Sequence, residues 1–230
     1  MKKILLLVVV ALTTINAMAQ QDWADFRKYE KSNQELRAQP NDGRRVVFFG
    51  NSITENWGRM RPEFFKDNGY ICRGISGQTS YQFVVRFRED VVSLKPKVVI
   101  INAGTNDIAE NNHRYVEDRT LGNIISMVEI AKANKINVIL SSITPCGRYG
   151  WKPDMKDVVE KIASLNARIE AYAKANKIPF IDYYTPMVVK DGEKKGWMLE
   201  NLTEDGCHPT VAGYEIMEPL AKAAVRKFVK

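Results

Sequence analysis

Short apolar runs that alternate with longer amphipathic stretches constrain the fold of this 230-residue chain more than any other feature. A short run with almost no polar residue is typical of a strand that is buried on both faces of a parallel sheet. Five such runs are Arg45–Phe49, Ile71–Ile75, Lys97–Ile101, Asn137–Leu140 and Pro179–Asp182. Strands that alternate with helices predict a parallel sheet with helices on both faces, joined by right-handed crossovers. The sequence therefore predicts the α/β class.

The stretch after the fourth run is the clearest predicted helix. Asp154 is its predicted N-cap, and the apolar residues that follow recur at helical spacing. They are Val158, Ile162, Leu165, Ile169 and Tyr172. The chain shows no internal repeat, linker or change of composition after residue 40. We therefore predict one domain over residues 44–230, preceded over residues 20–43 by a polar lead-in with a helix from Asp22 to Ala38.

Residues 1–19 have the features of a secretory signal peptide. Two lysines precede the apolar run Ile4–Leu12, and the small residues Ala17 and Ala19 occupy the −3 and −1 positions of a cleavage site. We predict cleavage after Ala19 and export to the periplasm or the medium; a buried first strand or helix is the alternative. The run is shorter than the roughly 20 residues that a spanning helix needs, so no integral membrane association is expected.

The distribution of charge argues against a nucleic-acid partner. The formal net charge is +7, but lysines and arginines are spread through the chain. They crowd together only near its end, where a cluster indicates a solvated helix face; its members are Lys222, Arg226, Lys227 and Lys230. No nucleic-acid-binding motif accompanies them, so we predict no binding of nucleic acid.

Three cysteines, Cys72, Cys146 and Cys207, cannot all pair within one chain. Their spacing matches no zinc signature, so no metal site is predicted. One pair could form a disulfide in an oxidising compartment, but the sequence leaves the pairing open. Cys207 stands beside a histidine and could act as a nucleophile; a small packing residue is the favoured interpretation.

Two segments carry candidate catalytic residues. Ser52 follows the first predicted strand, at a turn where a hydroxyl lies near the positive end of a helix, although such a serine can also serve only as a cap. Asp205 stands three residues before His208, so its carboxylate can bind the imidazole Nδ1–H and fix the tautomer. Pro209 favours an extended backbone at His208. The other histidine, His113, has no such carboxylate pattern and is predicted to be a surface residue.

Two further loops offer hydrogen-bond donors for an oxyanion. The second predicted strand ends just before Gly77, whose backbone N–H can approach a reacting carbonyl, and the third ends before Asn106, which offers a side-chain amide. Ordinary turn chemistry explains each loop by itself. Because the carboxyl ends of parallel strands share one edge of the sheet, we expect all four segments to meet there.

These four segments resemble the four sequence blocks of the SGNH hydrolases, the GDSL-type esterases and lipases. Gly50–Ile53 resembles the nucleophile block, and Ile75–Gly77 resembles the glycine block. Gly104–Asp107 matches the G-x-N-D block, and Asp205–His208 matches the D-x-x-H block. The resemblance extends over residues 44–228, which is nearly all of the predicted domain.

The resemblance implies a flavodoxin-like three-layer α/β/α sandwich with a five-stranded parallel sheet in the order 2-1-3-4-5. It implies Ser52 as the nucleophile, His208 as the general base and Asp205 as the residue that orients it. The backbone N–H groups of Ser52 and Gly77 and the side-chain amide of Asn106 would form the oxyanion hole. The resemblance implies no metal and no cofactor.

The chain departs from the family pattern at Asn51, where the family usually has Asp. We interpret this residue as a hydrogen-bonding group of the turn and expect activity to survive the change. Thr54 stands where the G-x-S-x-G elbow has its second glycine, which disfavours the larger α/β-hydrolase fold.

The loop after the fourth strand, residues 145–151, is predicted to border the cleft. Arg148, Tyr149 and Trp151 suit the hydroxyls and faces of sugars, although packing of the loop explains the two aromatic residues equally well. We predict a serine esterase that removes short acyl groups, acetyl above all, from carbohydrates. The alternatives are a lysophospholipase or platelet-activating-factor-acetylhydrolase-like lipid esterase, a non-catalytic carbohydrate-binding protein and a flavodoxin-like FMN protein.

Overall fold

Five parallel strands form the centre of the computed structural model, which describes residues 22–229. The strands are β1 (Val46–Gly50), β2 (Tyr70–Gly74), β3 (Val98–Ile101), β4 (Asn137–Ser141) and β5 (Phe180–Ile181). Each neighbouring pair is parallel, and the spatial order is β2-β1-β3-β4-β5. The predicted fold class and strand order are therefore confirmed.

Helices connect the strands and cover both faces of the sheet. They are α1 (Arg27–Ala38), α2 (Ser52–Met60), α3 (Pro62–Asn68), α4 (Ser80–Asp90), α5 (Thr105–Ile108), α6 (Glu117–Ala133), α7 (Val158–Ala175) and α8 (Val211–Val225). Helices α2, α3 and α8 contribute to the core on one face, and α4, α6 and α7 contribute to the core on the other. The result is a three-layer sandwich.

Strand β1 shows why the strands are continuously apolar. Val47 and Phe49 lie in the core beside α4, α6 and α7, whereas Val46 and Phe48 lie in the core on the opposite face. Successive side chains of a strand point to opposite faces, so a strand between two helical layers needs an apolar residue at each position. Aromatic rings fill the second core: Phe48 packs edge-on against Trp57, with ring centroids 5.4 Å apart.

Helix α7 begins later than predicted, which corrects the assignment of Asp154 as its cap. The helix starts at Val158, directly after Asp157. The backbone N–H groups of Lys152 and Met155 bond to carbonyls three residues earlier, so two tight turns occupy the segment in which the helix was expected to begin. The apolar helical face is otherwise as predicted.

The helix of the lead-in is shorter than predicted. It begins at Arg27 instead of Asp22, because the Asp22 carboxylate accepts the Phe26 N–H at 2.7 Å and closes a turn ahead of the helix. Leu36 packs against the core beside α4, so the lead-in contacts the sheet domain.

None of the helices within residues 22–229 is long and apolar enough to span a membrane. The predicted signal peptide, with cleavage near Ala19, lies outside the described residues and stays a prediction. The predicted domain limits, at residues 44 and 230, also stay a prediction.

Candidate active site

Ser52 is the first residue of α2, close after the carboxyl end of β1. Asn51 caps this helix, because its side-chain oxygen accepts the Ile53 N–H at 3.0 Å. An amide oxygen caps a helix as a carboxylate does, so Asn51 satisfies the turn without a charge. Ser52 is 9% exposed and lines an open cleft.

Ser52, His208 and Asp205 form a continuous chain of hydrogen bonds. The Ser52 Oγ lies 2.9 Å from His208 Nε2, and His208 Nδ1 lies 2.6 Å from Asp205 Oδ2. When the Nδ1 proton faces the carboxylate, Nε2 is free to accept the serine proton. Ser52 and His208 are 156 residues apart in the sequence, and the fold brings them together at the carboxyl edge of the sheet.

A short loop before α8 orients Asp205 and His208. Asp205 Oδ1 accepts the backbone N–H groups of Cys207 at 2.9 Å and His208 at 2.7 Å, which leaves Oδ2 for the imidazole. Burial alone would raise the pKa of Asp205, but hydrogen bonds from the His208 ring and from these two N–H groups outweigh burial and lower that pKa. The carboxylate is therefore charged at neutral pH and stabilises an imidazolium beside it.

Gly77 and Asn106 line the same cleft as Ser52. Gly77 has a φ of +76°, a left-handed conformation that favours glycine. Asn106 is 2% exposed, and its amide donates one hydrogen bond to the Gln78 carbonyl at 2.9 Å. Within residues 22–229, the second amide hydrogen has no hydrogen-bond acceptor. The structure thus brings together the residues that the sequence predicts for the triad and the oxyanion hole.

The cleft has a volume of about 360 Å³ and is open to solvent. One wall is the indole of Trp151, which is 40% exposed and whose ring centroid lies 5.7 Å from that of His208. Its Nε1 donates to Asn111 Oδ1 at 2.9 Å, which fixes the ring. Asn56 and Ser76 also line the cleft, so its surface combines an aromatic face with amide and hydroxyl groups.

Arg148 and Tyr149 are not among the residues that line the cleft: Tyr149 is buried, and the substrate-binding role of the exposed Arg148 stays a prediction. An antiparallel bridge between Tyr149 and Lys152 folds the loop back, so that Tyr149 is fully buried while Trp151 is exposed. The rings of Tyr149 and Trp151 pack with centroids 5.0 Å apart. The Arg148 guanidinium lies instead over the ring of Trp197.

His113 is not the surface residue that the sequence predicts. It is partly buried, with Nε2 3.6 Å from the Asp107 carboxylate and its ring 4.1 Å from that of Tyr81. The Asp107 carboxylate raises the pKa of His113. The residues next to His113 do not show this contact, because the chain turns back after α5 and brings the ring to Asp107, a residue of that helix.

Arg86 is a buried residue near the site that sequence reasoning missed. Its guanidinium donates to the Gln78 side chain at 2.6 Å and to the Asp90 carboxylate at 2.8 Å. It also donates to the carbonyls of Gly50 at 2.9 Å and Arg73 at 3.1 Å, at the ends of β1 and β2. One side chain therefore joins the two strands that precede the nucleophile and the loop of residues 75–79, which contains Gly77 and is called the glycine loop below. The i,i+4 spacing of Arg86 and Asp90 is a sequence signal for this pair.

Glu55 and Asn111 were also missed, because their partners lie on other loops. The Asn111 amide donates to the Gly77 carbonyl at 3.0 Å, and the Glu55 carboxylate binds Ser76. No local pattern in the sequence indicates either contact.

The three cysteines are free thiols. Cys146 and Cys207 are both buried, and the Cys146 thiol donates to the Arg148 carbonyl at 3.1 Å. The neighbouring Cys146 thiol together with burial raises the pKa of Cys207 well above its usual value. Cys207 is therefore protonated at neutral pH, as suits a packing residue. Cys72 lies apart, with its thiol donating to the Thr54 carbonyl at 3.2 Å. Within residues 22–229, no three His, Cys, Asp or Glu side chains are grouped closely enough to hold a metal ion.

The profile of one family of lipases and acylhydrolases matches residues 48–216, well over half of the chain. The chain belongs to the GDSL-like lipase/acylhydrolase family. This is a family of carboxylic ester hydrolases, which confirms both the predicted family and the predicted class of enzyme. The matched region runs from β1 into α8 and contains Ser52, Asp205 and His208.

Solved structures and curated relatives resemble this GDSL-family protein. A GDSL-like lipase from Bacteroides thetaiotaomicron is 60% identical, covering 89% of this chain and 98% of its own, with a TM-score of 0.85. An acetylxylan esterase from Xylanibacter ruminicola is 24% identical over 83% of this chain and 45% of its own length. The chain thus spans less than half of the length of the curated relatives that it matches. Axe2, an acetylxylan esterase from Geobacillus stearothermophilus, shares the fold: it is 20% identical, covering 82% of this chain and 97% of its own, with a TM-score of 0.61.

Proposed function

We propose that this GDSL-family protein is a serine esterase that removes short acyl groups, above all acetyl groups, from carbohydrates. The observation that carries the proposal is the hydrogen-bonded chain from Ser52 through His208 to Asp205. It supplies a nucleophile, a base and a group that orients the base. The acetylxylan esterase from Xylanibacter ruminicola, which is similar over 83% of this chain, supports the choice of acetyl groups on a polysaccharide.

The reaction proceeds in two steps. Ser52 Oγ attacks the ester carbonyl carbon while its proton passes to His208 Nε2; the bond to the alcohol oxygen then breaks, and His208 gives the proton to that oxygen. Water attacks the acyl-enzyme in the same way and releases the carboxylic acid, so that Ser52 and neutral His208 are restored. Asp205 holds the ring and stabilises the imidazolium in both steps.

The carbonyl oxygen becomes negative in each tetrahedral intermediate. The backbone N–H groups of Ser52 and Gly77, together with the free amide hydrogen of Asn106, form the oxyanion hole that receives this charge. Each donor of this kind is worth about 3–4 kcal/mol of transition-state stabilisation. Ser52 also stands at the amino end of α2, where the helix dipole favours negative charge.

The lining of the cleft supports a carbohydrate as the alcohol part of the substrate. The exposed indole of Trp151 offers a face on which a sugar ring can pack, and the amides of Asn56 and Asn111 can bind hydroxyls. Apart from Trp151, the residues that line the cleft are polar or glycine, whereas a fatty acyl chain needs an apolar groove. Export, as the first nineteen residues predict, would bring the enzyme to extracellular polysaccharides.

Acyl-chain specificity tests the proposal. We expect kcat/KM to fall from p-nitrophenyl acetate to the butyrate to the octanoate, because within residues 22–229 Trp151 is the single large apolar side chain that lines the cleft and no apolar groove extends from it to receive a longer acyl chain. Ser52→Ala should lower the rate by about 10⁴-fold or more, to near background. A preference for octanoate would indicate a lipid esterase. Equal activity of the wild type and Ser52→Ala would contradict the mechanism, and equal inactivity would favour a binding protein.

A further inference from the structure

Glu55 lies one helical turn after Ser52 on α2, and its carboxylate reaches across to the loop after β2. Its Oε2 accepts two hydrogen bonds from Ser76, one from the backbone N–H and one from the hydroxyl, each 2.6 Å long. Its Oε1 pairs with the ammonium of Lys28 on α1. The nucleophile helix, the glycine loop and the N-terminal helix therefore meet at one carboxylate.

Close packing of α2 on β2 makes this reach possible. Gly74 ends β2, and a Cβ at this position would overlap the backbone of Thr54 and Glu55. Because glycine has no side chain, the helix backbone rests directly on the end of the strand. Ser76 follows two residues later, so the Glu55 side chain has only a short distance to cross.

The Glu55 carboxylate is charged and half-buried. Its side chain is 26% exposed. Burial alone would raise the pKa of Glu55, but the hydrogen bonds from Lys28 and Ser76 outweigh burial and lower that pKa. A charged acceptor forms shorter and stronger hydrogen bonds than a neutral one. The two bonds to Ser76 therefore restrain the loop more firmly than an ordinary turn contact.

This restraint acts directly beside Gly77. Because Gly77 has no side chain, packing does not fix the orientation of its N–H, which belongs to the peptide bond between Ser76 and Gly77. The backbone hydrogen bond across residues 75–78 is long, at 3.4 Å. On the other side, the Asn111 amide donates to the Gly77 carbonyl at 3.0 Å. Glu55 and Asn111 thus hold the Gly77 residue from opposite ends.

We infer that Glu55 is a positioning residue of the active site, which holds Ser76 from the nucleophile helix and so keeps the Gly77 N–H aimed at the oxyanion beside Ser52. The inference rests on the proposed esterase function. Glu55 contacts no reacting atom; it sets the geometry between the nucleophile and one oxyanion donor. Loss of this restraint weakens interactions that are made in the transition state, so kcat falls while KM stays nearly unchanged.

Phosphorylation of Ser52 by diethyl p-nitrophenyl phosphate tests the inference apart from the natural substrate. The Ser52 oxygen bonds to phosphorus, p-nitrophenol leaves with the serine proton, and the P=O oxygen occupies the oxyanion hole. We expect Glu55→Ala to slow this labelling about tenfold and to lower kcat on p-nitrophenyl acetate to a similar extent, with KM within about twofold. Glu55→Gln should recover most of the loss, because its amide oxygen still accepts a hydrogen bond from Ser76. Mass spectrometry of the labelled protein counts the reactive sites, so rates are compared per folded site.

Glu89→Ala is the matched control. Glu89 lies on α4 and forms an exposed ion pair with Arg37 at 3.3 Å, so its loss should leave labelling and kcat at wild-type values. Ser76→Ala removes the hydroxyl bond to Glu55 and keeps the backbone N–H bond, so it should lower the labelling rate and kcat by less than Glu55→Ala does. If Glu55→Ala does not fold, Ser76→Ala tests the inference in its place. If Glu55→Ala is labelled at the wild-type rate, the positioning role of Glu55 is wrong, but the esterase proposal is unaffected. A wild type that is not labelled would overturn the esterase proposal with it.

Discussion

Trp151 is the residue on which the choice of substrate is expected to depend. Its indole forms one wall of the cleft, and its Nε1 is bound to Asn111. The amide of the same Asn111 is bound to the Gly77 carbonyl. Under the proposed function, a sugar that packs on Trp151 contacts a side chain that two hydrogen bonds connect to the glycine loop.

Trp151→Ala should separate recognition of a sugar from ester chemistry. We expect KM for acetylated xylo-oligosaccharides to rise about tenfold, because the packing face is lost, while kcat/KM for p-nitrophenyl acetate changes less than about threefold. Steady-state kinetics on both substrates provides the measurement. Trp23→Ala is the control, since Trp23 is 49% exposed but does not line the cleft. If the two variants behave alike on the oligosaccharide, Trp151 does not bind the sugar.

Which single residues could be predicted depended on how far away their partners lie in the chain. Asp205 and His208 are three positions apart on one loop, so their pairing is readable from sequence. Glu55 and Ser76 are 21 positions apart on different elements, and no pattern marks their contact. Tyr149 was predicted to line the cleft but is buried, whereas Trp151 on the same loop is exposed. Both residues are aromatic, so residue type alone could not show which of them the tertiary packing would bury.

At the scale of elements, the contact between α2 and the end of β2 determines the geometry of the site. The helix carries the nucleophile and Glu55, the strand leads into the glycine loop, and Gly74 allows their backbones to touch. The existence of both elements was predictable from the apolar run of β2 and from the turn at Ser52. The distance between α2 and β2 was not predictable, because it depends on the absence of a side chain at Gly74.

Gly74→Ala should destabilise the protein by about 1–3 kcal/mol and lower kcat, because the new methyl group pushes α2 away from the strand. Urea denaturation gives the free energy of unfolding, and p-nitrophenyl acetate gives kcat. The control is Gly122→Ala in α6, where a Cβ meets no atom within 4 Å. That change should stabilise the helix by about 0.5–1 kcal/mol. Equal stability changes in the two variants would contradict the close packing.

At the scale of the whole molecule, the fold class followed from the alternation of apolar runs and amphipathic stretches. The order of the strands did not, because periodicity carries no information about which strands are neighbours; it was predicted from the resemblance to a family. Neither route predicts the polar network around Arg86, of which only the i,i+4 spacing of Arg86 and Asp90 is visible in the sequence. This guanidinium ties β1 and β2 to α4, and Asp90 beside it is 1% exposed.

Arg86→Met should lower the free energy of unfolding by about 3–5 kcal/mol, because it leaves the Asp90 carboxylate buried without its cation. Denaturation in guanidinium chloride measures the loss. Arg37→Met is the matched control: it breaks the exposed ion pair with Glu89, which should cost less than about 1 kcal/mol. A loss in Arg86→Met no larger than that of the control would show that the network does not stabilise the fold.

The position of Asp205 and His208 after β5 has a consequence for how the enzyme is made. The amino end of a chain emerges from the ribosome first, and folding begins during synthesis. Ser52 and all five strands of the described sheet leave the ribosome before the loop that carries the base. With the roles proposed above, a nascent chain can already hold its nucleophile on a nearly complete sheet and still be inert. Catalytic competence is then among the last properties that the growing polypeptide acquires.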